Sequence, residues 1–411
     1  MRTSTPSIHV FRFIRRVFVL FMVLPITLLM IEPAYAEVPK VSGIRLGQNG
    51  AVTRFVMDLD QNVKFSHMVL ENPYRVVVDL PEVNWDVNNI DDVAKGHVNG
   101  YRYGHFREDV SRLVLDLKGP GRVAKIFTLP RNAAGKYRLV VDIERVSSQD
   151  FEAKRGTPPP ETIIKSASLS SPSLQARKKN QNRIITVDAG HGGVDPGTIS
   201  VIGVKEKNVV LSMSKAIKHE LEKRKGYKVI LTRDRDIYIP HRQRYEKARK
   251  AGADLFMSVH ADAIKNPKVR GATVYTLSER ASDQEAAALA RKENRSDLIA
   301  GLDLAEGYDA EVTSILIDLA QRESMNYSAR FASYLVPELK SRVEVRNNSH
   351  RFANFLVLKA PDVPSVLMEI GYMSNRQDSK LLASSKGRQK ISSAVASAIV
   401  NYFSTIESEG Q

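Results

Sequence analysis

Four short runs in the N-terminal part of the chain share one arrangement of apolar and polar positions. Each run begins with Arg, has Asp at its fifth position and is otherwise rich in the branched apolar residues that suit strands. The runs are RFVMDL (54–59), RVVVDL (75–80), RLVLDL (112–117) and RLVVDI (138–143). Turn-forming residues separate them, and nothing between them has the length and period of a helix. The pattern predicts an all-β sandwich in which Arg and Asp of neighbouring strands pair at the sheet edges.

After residue 183 the pattern changes to strand-like apolar runs that alternate with longer helical segments. This alternation predicts an α/β domain with a mostly parallel twisted sheet flanked by helices. Polar residues that follow such strands collect at the carboxyl edge of the sheet, where α/β proteins bind ligands. The predicted strands are 184–189, 228–233, 255–261, 272–277, 355–360 and 365–370, and the predicted helices are 206–225, 241–251, 310–341 and 376–405.

The first 36 residues have the order of an export signal. Four arginines precede the apolar stretch 17–31, and Ala-Tyr-Ala follows at 34–36. This order predicts a secretory signal cleaved after Ala36. A retained membrane anchor is the alternative, although the apolar run is shorter than the ~20 residues that span a bilayer. The pair Arg15-Arg16 leaves both Sec and twin-arginine (Tat) export open. We therefore expect an exported mature protein without a transmembrane segment.

A segment of different composition separates the two patterned regions. Residues 147–182 contain three consecutive prolines and the stretch KSASLSSPSLQARKKN, with few large apolar side chains. Such a segment buries too little surface to offset its ordering entropy, so we expect a mobile tether. The predicted organisation is a signal peptide (1–36), a small β-sandwich (37–146), a linker (147–182) and an α/β domain (183–408).

The amino-acid composition excludes several kinds of site and partner. The chain has 411 residues and 43% hydrophobic content, enough for more than one folded domain. It contains no cysteine, which excludes a disulfide framework, cysteine ligands and cysteine nucleophiles. The net charge of +15 is spread along the chain without a nucleic-acid-binding motif, so nucleic acid is not an expected partner. The net positive charge favours binding to anionic envelope polymers and lipid surfaces. The alternative is that it only keeps the protein soluble.

Four titratable residues end or follow apolar runs of the α/β region. They are His191 in VDAGHGG, Glu206 in GVKEKN, His260 in SVHAD and Glu369 in PSVLMEIGYMSN. Such groups are costly at the edge of a core unless they are paired or bind a metal. Two His and one Glu form an established zinc set that leaves one position for water. Glu369 then fits a proton carrier for amide hydrolysis. Taken singly, each residue has another interpretation, as a capping or core-edge His or as a Glu that begins a helix.

In order and spacing, these segments resemble the zinc-dependent N-acetylmuramoyl-L-alanine amidases that split septal peptidoglycan. The β-rich region resembles the AMIN domain, a targeting module of secreted cell-wall enzymes. The resemblance implies that Zn2+ is bound by His191, Glu206 and His260. It also implies that Glu369 is the catalytic glutamate, acting on the bond between N-acetylmuramic acid and L-alanine.

The same resemblance implies a periplasmic protein whose AMIN-like region binds peptidoglycan or septal proteins. Asp262 stands where many members have Asn, so its role is open, and Asn375 is expected only to order its turn. Two other functions fit the residues: a zinc peptidase that cuts stem peptides, and a catalytically silent wall-binding protein.

A long insertion, at about 279–325, follows the predicted strand that ends at Leu277. The stretch AAALARKENRSDLIAGL (286–302) predicts a helix. In the family, such a helix holds division amidases inactive through a glutamate at the metal, until a LytM-type activator displaces it. Glu293 best matches that glutamate, and we expect it to be the fourth zinc ligand of a resting enzyme. The alternative is a solvated surface helix. Acidic residues outnumber basic ones in this region: Glu279, Asp283, Glu285, Glu293, Asp297, Asp303, Glu306, Asp309 and Glu311 against Arg280, Arg291, Lys292 and Arg295.

Overall fold

The structure, a computed structural model, describes residues 37–87, 93–107, 109–132, 134–153, 182–302 and 315–409. The predicted signal peptide, most of the predicted linker and the middle of the insertion lie outside these ranges. None of the helices within them combines the length and hydropathy needed to cross a bilayer.

The N-terminal region is the predicted β-sandwich. One sheet has the order β5-β1-β2-β9-β8 and the other β3-β4-β7-β6. Neighbouring strands are antiparallel except for β1 and β5, and apolar side chains such as Phe55, Val76 and Leu113 are fully buried in the shared core. The strands are β1 (Lys40–Asn49), β2 (Val52–Leu59), β3 (Ser66–Leu70), β4 (Arg75–Pro81), β5 (Asn84–Trp85), β6 (Val98–Arg107), β7 (Val110–Leu117), β8 (Gly121–Leu129) and β9 (Tyr137–Arg145).

The predicted Arg–Asp pairs between neighbouring strands are confirmed. Arg54 on β2 donates to Asp142 on β9 at 2.7 and 2.8 Å, and Arg112 on β7 donates to Asp79 on β4 at 2.6 and 2.8 Å. The antiparallel register places the Arg at the first position of one repeat opposite the Asp at the fifth position of the repeat on the neighbouring strand. Their predicted location was wrong: these pairs lie on the outward faces of central strands, not at the sheet edges.

The folded N-terminal region continues beyond Val146, the predicted boundary. A short helix, α1 (Ser148–Ala153), follows β9, and its Phe151 is buried. The ring of Phe151 lies 5.1 Å from that of Tyr74 in an edge-to-face contact. The first residues of the predicted linker are therefore ordered because one aromatic side chain anchors them to the sandwich.

The C-terminal region contains the predicted, mostly parallel sheet, with the order β11-β10-β12-β15-β13-β14. Strands β10, β11, β12 and β15 are mutually parallel, whereas β13 runs antiparallel to β15 and parallel to β14. The strands are β10 (Arg183–Ala189), β11 (Tyr227–Leu231), β12 (Leu255–His260), β13 (Ala272–Leu277), β14 (Val345–Ala353) and β15 (Ser365–Glu369).

Helices cover both faces of this sheet, because alternate strand residues are buried on opposite sides. One core packs the strands against α2, α6 and α8, and a second packs them against α3 and α4. The helices are α2 (Glu206–Glu222), α3 (His241–Lys250), α4 (Gln284–Glu293), α5 (Ser296–Ile299), α6 (Ile315–Lys340), α7 (Arg376–Ala383) and α8 (Ser385–Glu409).

Three predictions of secondary structure were wrong. The apolar stretch 355–360 contains a short 3-10 turn, Leu356–Leu358, and the neighbouring strand β14 has a polar sequence that gave no strand signal. The predicted helix 376–405 is two helices, because Ser384 has an extended backbone. The predicted helix 286–302 is likewise divided into α4 and α5, with Asn294 and Arg295 between them.

Candidate metal centre and active site

The two histidines come together because the loop after β10 is built from glycine. His191 has a left-handed backbone with φ of +58°, and its ring centroid lies 4.9 Å from that of His260 at the end of β12. A Cβ at Gly190 would lie 2.4 Å from the His260 ring. Glycine at 190 therefore lets the two imidazoles share one small volume.

Glu206, the first residue of α2, faces both rings. Its Oε1 lies 3.1 Å from His191 Nε2 and 3.5 Å from His260 Nδ1. The fully buried carboxylate also accepts hydrogen bonds from the backbone N–H groups of Ala261 at 2.8 Å and Thr198 at 2.9 Å. These two bonds hold the carboxylate in place against the imidazoles.

Glu293, the last residue of α4, approaches the same two nitrogens from the inserted segment. Its Oε2 lies 3.4 Å from His191 Nε2 and 3.1 Å from His260 Nδ1, and only 2% of the residue is exposed. One donor atom from each of these three residues lies within 4.8 Å of the others. Burial alone would lower the pKa of His260, but the Glu293 and Glu206 carboxylates raise it to about 10.

The donor atoms of this cluster fit a metal ion. Within the described chain, His191 Nε2, His260 Nδ1 and both carboxylate oxygens of Glu293 are buried and make no hydrogen bond. Buried polar atoms that make no hydrogen bond are costly, and here they converge on one point. Nitrogen and carboxylate oxygen are the donors that zinc takes in the absence of cysteine.

Asp195 orients the His191 ring. Its Oδ2 lies 2.8 Å from His191 Nδ1 and accepts a 2.7 Å hydrogen bond from Ser296 of the inserted segment. Burial alone would raise the pKa of Asp195, but His191 and the hydrogen bonds from Ser296 and Gly197 hold it well below its usual range. An ionised Asp195 that accepts the Nδ1 proton leaves Nε2 free to face the cluster.

Glu369 ends β15 directly beside His260 in the parallel register. Its Oε2 accepts the backbone N–H of Asp262 at 2.9 Å, while Oε1 is buried and has no hydrogen-bond partner among the described residues. Burial raises the pKa of Glu369 well above its usual range; His260 opposes this shift, and the carboxylates of Asp262, Glu206 and Glu293 reinforce it. The carboxyl group is therefore suited to hold a proton.

Lys292 and Asp262 form a contact that sequence reasoning missed. Lys292 Nζ, on α4, bonds to the carboxylate of Asp262 and lies 2.9 Å from Thr198 Oγ1. The acidic insertion thus brings a cation to the site together with Glu293. Asn375 does order its turn, because its side chain accepts hydrogen bonds from the N–H groups of Gln377 and Asp378 at the start of α7.

Two buried arginines that were also missed hold the glycine-rich loop. Arg233 donates to the carbonyl groups of Ala189 at 2.9 Å and Gly190 at 2.8 Å. Arg244 donates to the His191 carbonyl at 2.9 Å and to the Asp188 carboxylate at 3.0 Å. The one sequence signal for this role is that Arg244 lies four residues before the buried Ala248, on the inner face of α3.

The structure thus brings His191, Glu206, His260, Glu369 and Glu293 into one buried cluster. A family model described as N-acetylmuramoyl-L-alanine amidase matches residues 185–401, and an AMIN domain model matches residues 43–130. The N-acetylmuramoyl-L-alanine amidase AmiC of Neisseria meningitidis serogroup B is 32% identical over 390 residues, which cover 89% of this chain and 91% of that relative.

Two further similarities cover a little more than half of the chain. AmiA of Escherichia coli K12, another N-acetylmuramoyl-L-alanine amidase, is 40% identical over 230 residues, which cover 56% of this chain and 79% of that relative. The solved structure of AmiC2 of Nostoc punctiforme is 26% identical with a TM-score of 0.39, covering 54% of this chain and 97% of that one.

Proposed function

This chain belongs to the N-acetylmuramoyl-L-alanine amidase family and carries an N-terminal AMIN domain, and from that premise we propose that it hydrolyses the bond between N-acetylmuramic acid and L-alanine of peptidoglycan. Zn2+ is held by His191, Glu206 and His260. The reaction splits septal cell wall in the periplasm, after export through Sec or Tat by the N-terminal signal peptide.

The convergence of His191 Nε2, His260 Nδ1 and the Glu206 carboxylate on one point supports this proposal most strongly. When bound, zinc supplies a Lewis acid that polarises the amide carbonyl and acidifies water. Asp195 keeps His191 turned toward this point, and the backbone N–H groups of Ala261 and Thr198 keep Glu206 there.

Glu369 acts as the proton carrier. Its Oε2 is fixed by the Asp262 N–H, while Oε1 is available beside His260. In this position the ionised carboxylate takes a proton from the attacking water. The raised pKa of the group then lets it hold this proton until it is delivered to the leaving nitrogen of L-alanine.

The enzyme is autoinhibited by the inserted segment. Glu293 Oε2 lies within 3.4 Å of both imidazole nitrogens, where it is the fourth zinc ligand of the resting state and excludes substrate. A LytM-type activator displaces the segment, and the AMIN domain binds peptidoglycan or septal proteins.

Product analysis tests the reaction. Purified sacculi are digested with the full chain carrying Glu293→Ala, and the muropeptides are identified by mass spectrometry against the same chain with Glu369→Gln added. We expect stem peptides with a free N-terminal L-alanine. Cleaved cross-bridges would instead indicate the zinc peptidase, and products no greater than those of the Glu369→Gln control would indicate the silent wall-binding protein.

Autoinhibition is tested by Glu293→Ala alone. If about 1 to 10% of the resting enzyme is open, basal hydrolysis of sacculi should rise about 10- to 100-fold when the blocking carboxylate is removed. Glu279→Ala, which removes an exposed carboxylate of the same insertion, is the matched control and should leave the rate unchanged. Equal basal rates for Glu293→Ala and the unmodified chain would contradict autoinhibition.

A further inference from the structure

The outward face of one AMIN sheet carries apolar residues that solvent does not reach. Alternation along β4 and β7 places Val76 and Leu113 in the sandwich core and turns Val77 and Val114 to the other side. Val77 and Val114 are nevertheless fully buried. We call this surface the clamp face and define it by Arg75, Val77, Arg102, Arg112 and Val114.

The inserted segment covers the clamp face at Gly301. A Cβ built on Gly301 would lie 2.9 Å from Val77 Cγ2 and 3.1 Å from Val114 Cγ2, and the residue has a left-handed φ of +76°. Close approach of the backbone to both valines therefore requires glycine at this position.

Three arginines of the clamp face bind consecutive carbonyl groups of the same segment. Arg75 donates to the carbonyls of Leu298 and Leu302, and Arg102 donates to that of Ile299. Arg112 donates to the carbonyls of Ala300 at 3.1 Å and Gly301 at 3.2 Å. Arg75 and Arg112 belong to the repeated strand motif, whose first position had no functional role in the sequence beyond pairing with Asp.

The other side of the segment binds the catalytic domain. Asp297 accepts hydrogen bonds from the Tyr238 hydroxyl at 2.6 Å and from the His241 N–H at 3.1 Å. Phe106 of the AMIN domain stacks on Tyr238, with 6.3 Å between ring centroids, and Ala300 is buried in the same cluster. The segment is therefore enclosed between the two domains a few residues after Glu293.

We propose that the AMIN domain is an intramolecular clamp for the inhibitory segment. The clamp face binds the carbonyl groups of residues 298–302 and thereby holds Glu293 at the metal centre. This role rests on the proposed autoinhibition by Glu293 and extends it: the AMIN domain sets the fraction of enzyme in which the segment leaves the site.

Two variants weaken the clamp from opposite sides. Gly301→Ala adds a Cβ against Val77 and Val114 without altering the AMIN domain, and Arg102→Gln removes the donor to Ile299 without altering the segment. Arg54→Gln is the matched control, because Arg54 pairs with Asp142 on a neighbouring strand as Arg102 pairs with Asp116, but lies on the other sheet. Circular dichroism melting checks that each variant is folded.

Two measurements are made on the full chains: hydrogen exchange of peptides covering residues 296–302, and basal hydrolysis of sacculi. We expect both clamp variants to exchange faster in this segment and to hydrolyse sacculi about 10-fold faster. Arg102→Gln loses one charge-assisted hydrogen bond, which shifts an equilibrium by about that factor. Gly301→Ala forces a left-handed backbone and a close contact with Val77, at a cost of about the same size. Arg54→Gln should change neither. In a Glu293→Ala background the clamp variants should add no further activity.

The outcomes separate the clamp from the autoinhibition on which it rests. If Glu293→Ala raises basal hydrolysis and both clamp variants leave it unchanged, the clamp is overturned and autoinhibition stands. If Glu293→Ala has no effect on hydrolysis, autoinhibition fails and the clamp fails with it. Faster hydrolysis by the clamp variants that adds fully to that of Glu293→Ala would also overturn the clamp, because it would show an action independent of Glu293.

Discussion

At the scale of single residues, Asp195 has two partners that belong to different functions. It accepts hydrogen bonds from the candidate ligand His191 and from Ser296 of the inserted segment. A carboxylate behind a metal-binding imidazole fixes the ring and increases its basicity. One side chain therefore both orients the candidate ligand His191 and binds the inserted segment.

Asp195→Asn should weaken zinc binding about 10-fold, because a neutral amide accepts the Nδ1 proton less strongly than a carboxylate and leaves the ring less basic. Competition titration of the full chain against a chromogenic chelator measures the affinity. Asp234→Asn, on an exposed site of a neighbouring loop, serves as the control and should bind zinc as the unmodified chain does. An Asp195→Asn affinity equal to that of the control would show that the contact does not tune the site.

At the scale of elements, the strands that sequence predicted well are buried on both faces. The bounds of β13 agree at both ends with the predicted 272–277, and those of β10 differ by one residue. An apolar run bounded by polar residues is enough to predict such a strand. The candidate site residues at strand ends were predictable for the same reason, since each follows a buried run.

Two elements were predicted poorly because an apolar sequence indicates burial and not strand formation. Among the described strands, β14 lies at the edge of the sheet and pairs with β13 alone, and its side chains are mostly polar. The stretch after Ala353 is apolar because Phe355, Val357 and Leu358 fill the core beneath α3, although the backbone turns there. Periodicity reports which side chains are buried, not which backbone conformation buries them.

Contacts between elements that are distant in the chain could not be predicted, because they leave no pattern in the neighbouring sequence. Arg233 reaches carbonyl groups more than 40 residues earlier in the chain, and Lys292 reaches Asp262 across 30 residues. Basic residues in polar segments are ordinarily solvated, so nothing in the neighbouring sequence distinguishes these. Their roles follow from how the elements pack.

At the scale of the whole molecule, buried carboxylates make stability depend on pH. Asp188 is fully buried and accepts hydrogen bonds from Thr232 and Ser258, both at 2.6 Å, and from Arg244. Burial alone would raise the pKa of Asp188, but Arg244 and the two hydroxyl groups lower it. Asp297 behaves similarly: His241 and Tyr238 outweigh burial and lower its pKa to about 2.

Because these pKa values are lower in the folded than in the unfolded state, ionisation stabilises the fold above the unfolded value of about 3.9. That stability is lost as the pH falls through the folded values. We expect the melting temperature of the full chain, measured with chelator present, to fall between about pH 4 and pH 2. Asp188→Asn should cost about 3 to 5 kcal/mol at pH 7, because it removes the carboxylate that neutralises the buried Arg244 guanidinium, and should flatten the acid dependence.

Glu279→Gln controls for the loss of one exposed carboxylate and should follow the unmodified chain at every pH. An acid dependence in Asp188→Asn as steep as that of the control would assign the effect to other groups.

The arginines of the clamp face bind backbone carbonyl groups, which every residue type carries. Leu298 and Ile299 are only partly buried, and their carbonyls would remain after replacement of either side chain. The segment can therefore diverge in evolution at these two positions while the same docking persists. Gly301 cannot be replaced in this way, because a Cβ would meet Val77 and Val114. A mutational scan of the segment should therefore show that most substitutions at 298 and 299 keep the docking, whereas substitutions at 301 disrupt it.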